Sequence, residues 1–183
     1  MTRTLIASTV AALALVAAGC GGSDETTTSA ETTATAEWAD GFCTAITTWT
    51  DSIKSVTEQF TDLSSFSQDG LEAAANDVQD ATNTLVDDLQ GLGAPDTESG
   101  QAVKDSLDEL TSTVESEVAT IEETAQGVSG ITGIPGAASS IQTSLTAMST
   151  ALNSTLQTVE SADAKGEIQT ALEDSPACAD LPS

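Results

Sequence analysis

The stretch WADGFCTAITTWTDSIKSVTEQFTDL, residues 38–63, decides the fold of this chain. Its apolar side chains recur at alternating steps of three and four residues, the spacing that lines one face of an α-helix. No alternation of period two, which a half-buried strand would need, competes with it. The apolar face consists of Trp38, Phe42, Ile46, Trp49, Ile53, Val56, Phe60 and Leu63. We therefore predict a long amphipathic first helix with this face in the core.

Three further stripes of the same period follow along the chain. They run from Leu71 to Leu92, from Val103 to Val128, and from Ile141 to Val159 with a less regular continuation to Leu172. Gly166 either kinks the last helix or separates a short fifth helix from it. Connections of roughly 5–10 residues favour antiparallel neighbours. The sequence thus predicts an all-α fold, an antiparallel up-and-down four-helix bundle formed by residues 36–183.

Two of the predicted helix starts carry capping signals. Asp69 stands three residues before Glu72, a capping-box-like pattern that predicts the start of the second helix. The acidic residues of the stretch 96–98 suit the first turn of the third helix, because negative side chains are favourable near a helix N-terminus.

The first 19 residues have the organisation of an export signal. A single cation, Arg3, precedes an uncharged and mostly apolar run from Leu5 to Ala18. This run is too short for a membrane span, which needs about 20 apolar residues, and it suits the apolar region of a signal peptide. We therefore expect residues 1–19 to be removed from the mature protein.

The apolar run ends in Ala17-Ala18-Gly19-Cys20, which resembles the lipobox of bacterial lipoproteins. The resemblance implies that Cys20 becomes a lipidated N-terminus and anchors the protein to the extracytoplasmic face of the cell membrane. The alternative is an ordinary secretory cleavage near Ala18 that leaves Cys20 unmodified. Residues 20–35 are rich in Ser and Thr and have no hydrophobic period, so we expect a flexible tether.

The chain has three cysteines, an awkward number for an oxidising compartment in which thiols tend to pair. Lipid on Cys20 would leave Cys43 and Cys178 as a pair. Cys43 lies near the start of the first helix, Cys178 follows the last helix, and an even number of alternating helices returns the chain to its starting pole. A Cys43–Cys178 disulfide therefore fits the bundle; free thiols and intermolecular pairing are the alternatives.

The composition excludes several classes of function. The chain has 29 acidic and 4 basic residues, no histidine and a net charge of -25. A polyanion cannot neutralise phosphates, so we exclude nucleic acid as a partner. Without imidazole, Ser-His triads and the Glu-x-x-His sites of di-iron bundles are impossible, and no stretch matches a calcium-binding loop. We expect no catalytic residue, metal ion or cofactor.

Both ends of the predicted domain carry a recognisable pattern, Trp38-x-x-x-Phe42-Cys43 and Pro176-Ala177-Cys178. Together with the lipobox and the acidic, Ala/Thr/Ser-rich helices, they make the chain similar to small secreted lipoproteins of the actinobacterial type. The resemblance implies no assigned activity. The predicted function is a non-enzymatic binding or envelope-structural role, with an unidentified envelope protein as partner. The alternative is a carrier that holds a small apolar ligand in the bundle interior.

Alternation of the helices places the loops 64–69 and 129–138 at the pole farthest from the membrane. These loops carry apolar residues that lie outside the stripes, namely Phe66, Ile131, Ile134 and Pro135. Apolar side chains on a flexible, glycine-rich loop often mark a binding surface. We name these four residues the distal pole and expect Phe66 and Ile134 to anchor a partner; the alternative is that they cap the core.

Overall fold

A computed structural model describes residues 25–60, 67–163, 165–179 and 181. The described part of the chain is all-α. It contains α1 (Glu25–Gln59), α2 (Gln68–Leu92), α3 (Gly100–Gln126), α4 (Ile134–Ala162) and α5 (Glu167–Asp174), followed by a 3₁₀ helix (Pro176–Cys178). The predicted signal peptide, Cys20 and Phe66 lie outside the described residues.

Helix α1 begins at Glu25, inside the segment predicted to be a tether. Residues 25–35 are helical, whereas the sequence led us to expect a flexible tether over residues 20–35. No glycine or proline interrupts residues 25–35, although most of these residues are Thr, which has a lower helix propensity than Ala or Glu. Because extending an existing helix needs no new nucleus, the packed part of α1 can propagate upstream through these residues.

Two tryptophan hydrogen bonds define how α1 lies against α2. Trp38 Nε1 donates to the carbonyl oxygen of Gly93 at 3.1 Å, and Trp49 Nε1 donates to Thr82 Oγ1 at 3.2 Å. From Trp38 to Trp49 the donor moves forward along α1, whereas the acceptor moves backward in sequence, from Gly93 just after α2 to Thr82 within it. The two helices are therefore antiparallel.

Two helices start at positions other than the predicted ones. The cap of α2 is Ser67 rather than Asp69, because Ser67 Oγ accepts a hydrogen bond from the Gly70 N–H at 3.1 Å. Helix α4 begins at Ile134, within the predicted glycine-rich loop, and carries Pro135 in its first turn. Proline is favoured there because the N–H that it lacks would have no partner within the helix.

The last helical region is split at Gly166, one of the two outcomes that the sequence allowed. Gly166 has a φ of 72°, in the left-handed region that glycine enters without a Cβ clash. After this residue, α5 and the 3₁₀ helix pack against α1. Cys43 and Cys178 form a disulfide whose Cα atoms are 5.0 Å apart, which confirms the predicted pairing.

The core is built from the predicted helix faces. Trp38, Phe42, Trp49 and Phe60 are each exposed by at most 4%, and the stripes of α2, α3 and α4 contribute mainly Leu, Ile, Val and Met. Helix α1 packs on α2, α2 on α3, and α3 on α4. None of the helices in the described part has the length and hydropathy that crossing a bilayer requires.

Candidate functional site

A cleft of about 540 Å³ lies at the end of the molecule where α3 starts and α4 ends. Its volume falls in the range of roughly 300–1,000 Å³ that is typical of small-ligand sites. The walls come from three separate parts of the chain: α1, the α2–α3 loop, and the α4–α5 turn together with α5. The lining comprises Thr35 and Ala36, the stretches 96–98 and 165–167, and Thr170, Ala171 and Asp174.

A second cleft, of about 420 Å³, extends the first along α1 as far as Asp40. The two clefts share Ala36, Ala171 and Asp174. We call them together the α1–α5 groove. Six carboxylates line it: Glu37, Asp40, Asp96, Glu98, Glu167 and Asp174. The shared middle part thus combines two small apolar side chains with a carboxylate, and further carboxylates lie on either side.

Hydrogen bonds between distant segments hold the walls of the groove in place. Ser99 Oγ donates to the Ala162 carbonyl oxygen at 2.6 Å, which joins the start of α3 to the end of α4. Ser175 Oγ donates to Asp40 Oδ1 at 2.9 Å, which joins the end of α5 to α1. The disulfide adds a covalent link between α1 and the segment that follows α5. The position of α5 relative to α1 is therefore fixed at its C-terminal end.

The α4–α5 turn is organised by Asp163 and Gly166. The Asp163 carboxylate accepts hydrogen bonds from the N–H groups of Glu167 and Gln169, at 3.1 and 2.8 Å. Thr170 Oγ1 donates to the Gly166 carbonyl oxygen at 2.7 Å. Two of the N–H groups that a helix leaves unpaired at its start are thus satisfied, which stabilises the short α5.

The α2–α3 loop forms the opposite wall, and its geometry differs from the prediction that residues 96–98 begin α3. Thr97 N–H donates to the Pro95 carbonyl oxygen at 2.9 Å, and Gly100 N–H donates to the Thr97 carbonyl oxygen at 3.0 Å. This turn delays the helix to Gly100, where a Cβ would collide with the Pro95 carbonyl oxygen. Thr97 Oγ1 is buried and has no hydrogen-bond partner among the described residues.

One ion pair crosses the first cleft. Lys165 Nζ lies 3.0 Å from Glu98 Oε2, and the two side chains are 53% and 77% exposed. A pair this exposed contributes only about 0–1 kcal/mol to stability. In the described part of the chain, Asp96, Glu167 and Asp174 form no ion pair. The groove therefore carries an excess of negative charge, which attracts cations and is screened by salt.

The residues predicted to form the distal pole have different environments. Ile131 is 83% exposed in the α3–α4 connection, and Pro135 is exposed in the first turn of α4. Ile134 is only 4% exposed and packs in the core cluster, so its side chain is not available to anchor a partner as predicted. Ile134 caps the core, the alternative that the sequence left open, whereas Phe66 lies outside the described residues.

Sequence reasoning did not identify the α1–α5 groove. The groove exists because α5 packs against α1 after the break at Gly166, a contact between segments far apart in the sequence. The one sequence signal for it was the Cys43–Cys178 pair, which brings the segment before Cys178 next to α1. Within the described residues, no group of three or more His, Cys, Asp or Glu side chains is arranged to hold a metal ion.

Comparison of the chain with known protein families, with curated proteins and with solved structures gives no match. The function proposed below accordingly rests on the sequence and on the chemistry of the groove.

Proposed function

We propose that the chain is a lipid-anchored, extracytoplasmic binding protein without enzymatic activity and that its ligand occupies the α1–α5 groove. The observation that carries this proposal is the groove itself. It contains a cleft of about 540 Å³, walls fixed by hydrogen bonds, and an exposed ion pair that a ligand can displace. The signal-like residues 1–19 and the lipobox at Cys20 support the membrane location.

The proposed architecture is an antiparallel four-helix bundle, α1 to α4, with α5 packed against α1 and contributing Ile168 to the core. The antiparallel pairing of α1 with α2 and the contacts between consecutive helices support it. The disulfide is consistent with it, because it joins the middle of α1 to the segment that follows α5, so the chain end returns alongside the first helix. In this architecture the groove lies at the pole where the bundle begins.

The position of the groove also fits a membrane anchor at Cys20. Residues 25–35 are helical and rise about 1.5 Å each, and an extended chain of five residues spans at most about 18 Å. Thr35, in the wall of the groove, therefore lies within roughly 35 Å of Cys20. A lipid-anchored protein of this kind would hold its ligand close to the membrane surface.

Transport of an apolar ligand in the bundle interior has less support. Trp38 and Phe42 stack on each other with ring centroids 5.2 Å apart, and both side chains are buried in the core. Both tryptophan N–H groups are paired, with Gly93 and Thr82. These aromatic residues fill the interior and do not line either cleft of the groove.

The proposal is tested by blocking the groove. Ala36 is exposed and lines both clefts, so Ala36→Trp fills the groove without disturbing the core. Ala73→Trp, on the exposed face of α2, is the matched control. Each protein is captured from envelope extract, and its bound proteins and small molecules are identified by mass spectrometry, with the intact mass of the chain measured in parallel.

We expect an acylated chain that begins at Cys20. We also expect that the material retained by the native protein and by Ala73→Trp is lost from Ala36→Trp, while all three proteins unfold cooperatively. Equal recovery with the two tryptophan variants, or an unmodified protein found wholly in the medium, would contradict the proposal.

A further inference from the structure

Helix α4 differs from the other α-helices of the described chain in its charge. The sequence has no charged residue between Glu123 and Glu160, so α4 is uncharged from Ile134 to Val159. The chain as a whole has a net charge of -25, and α1, α2, α3 and α5 each carry carboxylates. The outer side of α4 is therefore an uncharged strip, about 39 Å long, on a strongly anionic molecule.

A shallow depression lies on this strip. Its lining consists of small side chains at steps of three and four residues, all of them on α4: Thr143, Thr146, Ala147, Thr150, Ala151 and Ser154. We call these six residues the α4 face. Because none of them is bulky, a second helix can approach the axis of α4 closely, which favours contact along the whole strip.

The hydroxyl groups of the α4 face are largely used within the helix. Thr143, Thr146 and Thr150 each donate their hydroxyl to the carbonyl oxygen four residues earlier, at 3.0, 2.8 and 2.9 Å. These side chains therefore offer a partner mainly their methyl groups, beside those of Ala147 and Ala151. A partner can cover the α4 face without leaving these hydroxyl donors unpaired.

The same hydrogen bond occurs on α2, but there it is surrounded by negative charge. Thr84 Oγ1 donates to the Asp80 carbonyl oxygen at 3.0 Å, and Asp88 lies four residues after Thr84. Residues four positions apart are neighbours on a helix surface, so Thr84 has a carboxylate on either side. The corresponding neighbours of Thr146 on α4 are uncharged. The α4 face is thus distinguished by its lack of charge and not by its threonines alone.

This distribution of charge identifies a partner that fits the α4 face. Two copies of a chain of net charge -25 repel each other wherever their charged helices meet. The repulsion is smallest when α4 of one copy lies against α4 of the other, because the nearest carboxylates in the sequence, Glu123 and Glu160, flank the strip. Contact of one surface with the same surface on a second copy has two-fold symmetry.

We propose that two copies of the protein associate through their α4 faces, as a two-fold dimer in which α4 packs on α4. A strip of this length and of the width of one helix, about 11 Å, covers about 400 Å² on each copy. A stable interface buries about 800 Å² on each partner, so the association is weak in solution. Lipid anchors that hold many copies on one membrane raise their effective concentration and favour the dimer. This surface is separate from the α1–α5 groove, and the inference goes beyond the proposed function.

The experiment is sedimentation velocity of the purified protein up to about 0.5 mM, at about 0.1 M and 0.5 M salt, so that repulsion between copies is screened to two extents. All proteins carry Cys20→Ser, which excludes association through acyl chains. Ala147→Glu places a carboxylate in the α4 face, and Ala73→Glu, on the exposed side of α2, is the matched control. Thr150→Glu repeats the test at an exposed position of the α4 face. Thermal unfolding of each protein is measured in parallel.

We expect a monomer–dimer equilibrium for the reference protein, with more dimer at the higher salt concentration because screening weakens the repulsion. Ala147→Glu and Thr150→Glu should each weaken association at least about tenfold, since the dimer would then contain two additional like charges in its interface. Ala73→Glu should change it less than about twofold, as expected for a screened charge outside the interface. All variants should unfold cooperatively.

Equal weakening by Ala147→Glu and Ala73→Glu would overturn the inference, because any added negative charge would then oppose association. A reference protein that stays monomeric at both salt concentrations would overturn it as well. Neither result bears on the groove, which Ala36→Trp tests on a different part of the molecule.

Discussion

Cys43 and Cys178 lie 135 positions apart in the sequence, yet their Cα atoms are 5.0 Å apart. The bond attaches the segment that follows α5 to the middle of α1. The groove has one wall from α1 and one from α5, and the disulfide holds these two helices together. It therefore contributes both to the stability of the fold and to the shape of the groove.

Replacing both cysteines by serine, Cys43→Ser with Cys178→Ser, should lower the free energy of unfolding by about 2–5 kcal/mol. The reason is that the unfolded chain regains the freedom that the long closed loop removes. Urea unfolding of the native and variant proteins measures the difference. In addition, amide hydrogen exchange in α5 should accelerate more than in α3, because α5 is short and its position depends on the bond. Unchanged exchange in α5 would show that the hydrogen bonds hold it alone.

Thr82→Val should lower the free energy of unfolding by about 1–3 kcal/mol, because it leaves the buried Trp49 N–H without an acceptor. Trp49→Phe removes the donor and also creates a cavity. The double variant should therefore be more stable than the sum of the two single effects predicts. Thermal or urea unfolding of the four proteins measures the coupling. Strict additivity would mean that the hydrogen bond contributes nothing.

Ile134→Ala should lower the free energy of unfolding by about 2–5 kcal/mol, since it empties part of the core. Ile131→Ala should change it by less than about 0.5 kcal/mol, because the side chain is 83% exposed. Both variants remove the same side-chain atoms, so the difference between their stabilities reports the effect of burial alone. Similar melting temperatures for both would contradict the placement of Ile134 in the core.

Gly100→Ala should destabilise the protein, because the new Cβ collides with the Pro95 carbonyl oxygen and forces the turn before α3 to open. Gly136→Ala is its matched control, since a Cβ at this position in α4 has open space around it. For Gly136→Ala we expect the free energy of unfolding to rise by about 0.5–1 kcal/mol, because alanine favours a helix more than glycine does. Urea unfolding shows whether each variant is more or less stable than the native protein. A stable Gly100→Ala would indicate a different α2–α3 turn.

Cys20→Ser should move the protein from the membrane fraction to the soluble extracytoplasmic fraction, because it removes the residue that carries the proposed lipid. Fractionation followed by intact-mass analysis measures the change, and Cys43→Ser serves as the control that keeps the lipobox. Retention of Cys20→Ser in the membrane fraction would mean that something other than an acyl chain holds the protein there.

The helices and the core could be predicted because spacing alone determines which residues share a face. Leu71, Val103 and Leu145, for example, are buried as their stripes require. Helix boundaries were less predictable, because they depend on single hydrogen bonds. Ser67 rather than Asp69 caps α2, and a turn that requires Gly100 delays the start of α3.

The groove could not be predicted, because its residues lie in three segments that only the folded chain brings together. Lys165 and Glu98 belong to no recognisable sequence motif. They pair because the helix break at Gly166 brings the start of α5 next to the α2–α3 loop. Conversely, Ile134 was expected to anchor a partner because it lies outside the apolar stripes, on a glycine-rich loop. Proline in the first turn of α4 places it inside a helix instead, where it packs in the core.

The most direct test of the groove as the binding site is amide hydrogen exchange of the native protein with and without the small-molecule fraction of envelope extract. Our account predicts that exchange slows in three segments, 34–40, 95–100 and 165–178, and stays unchanged in the α3–α4 connection around Ile131. Slower exchange around Ile131, with no change in the three groove segments, would contradict it and would assign binding to the opposite pole.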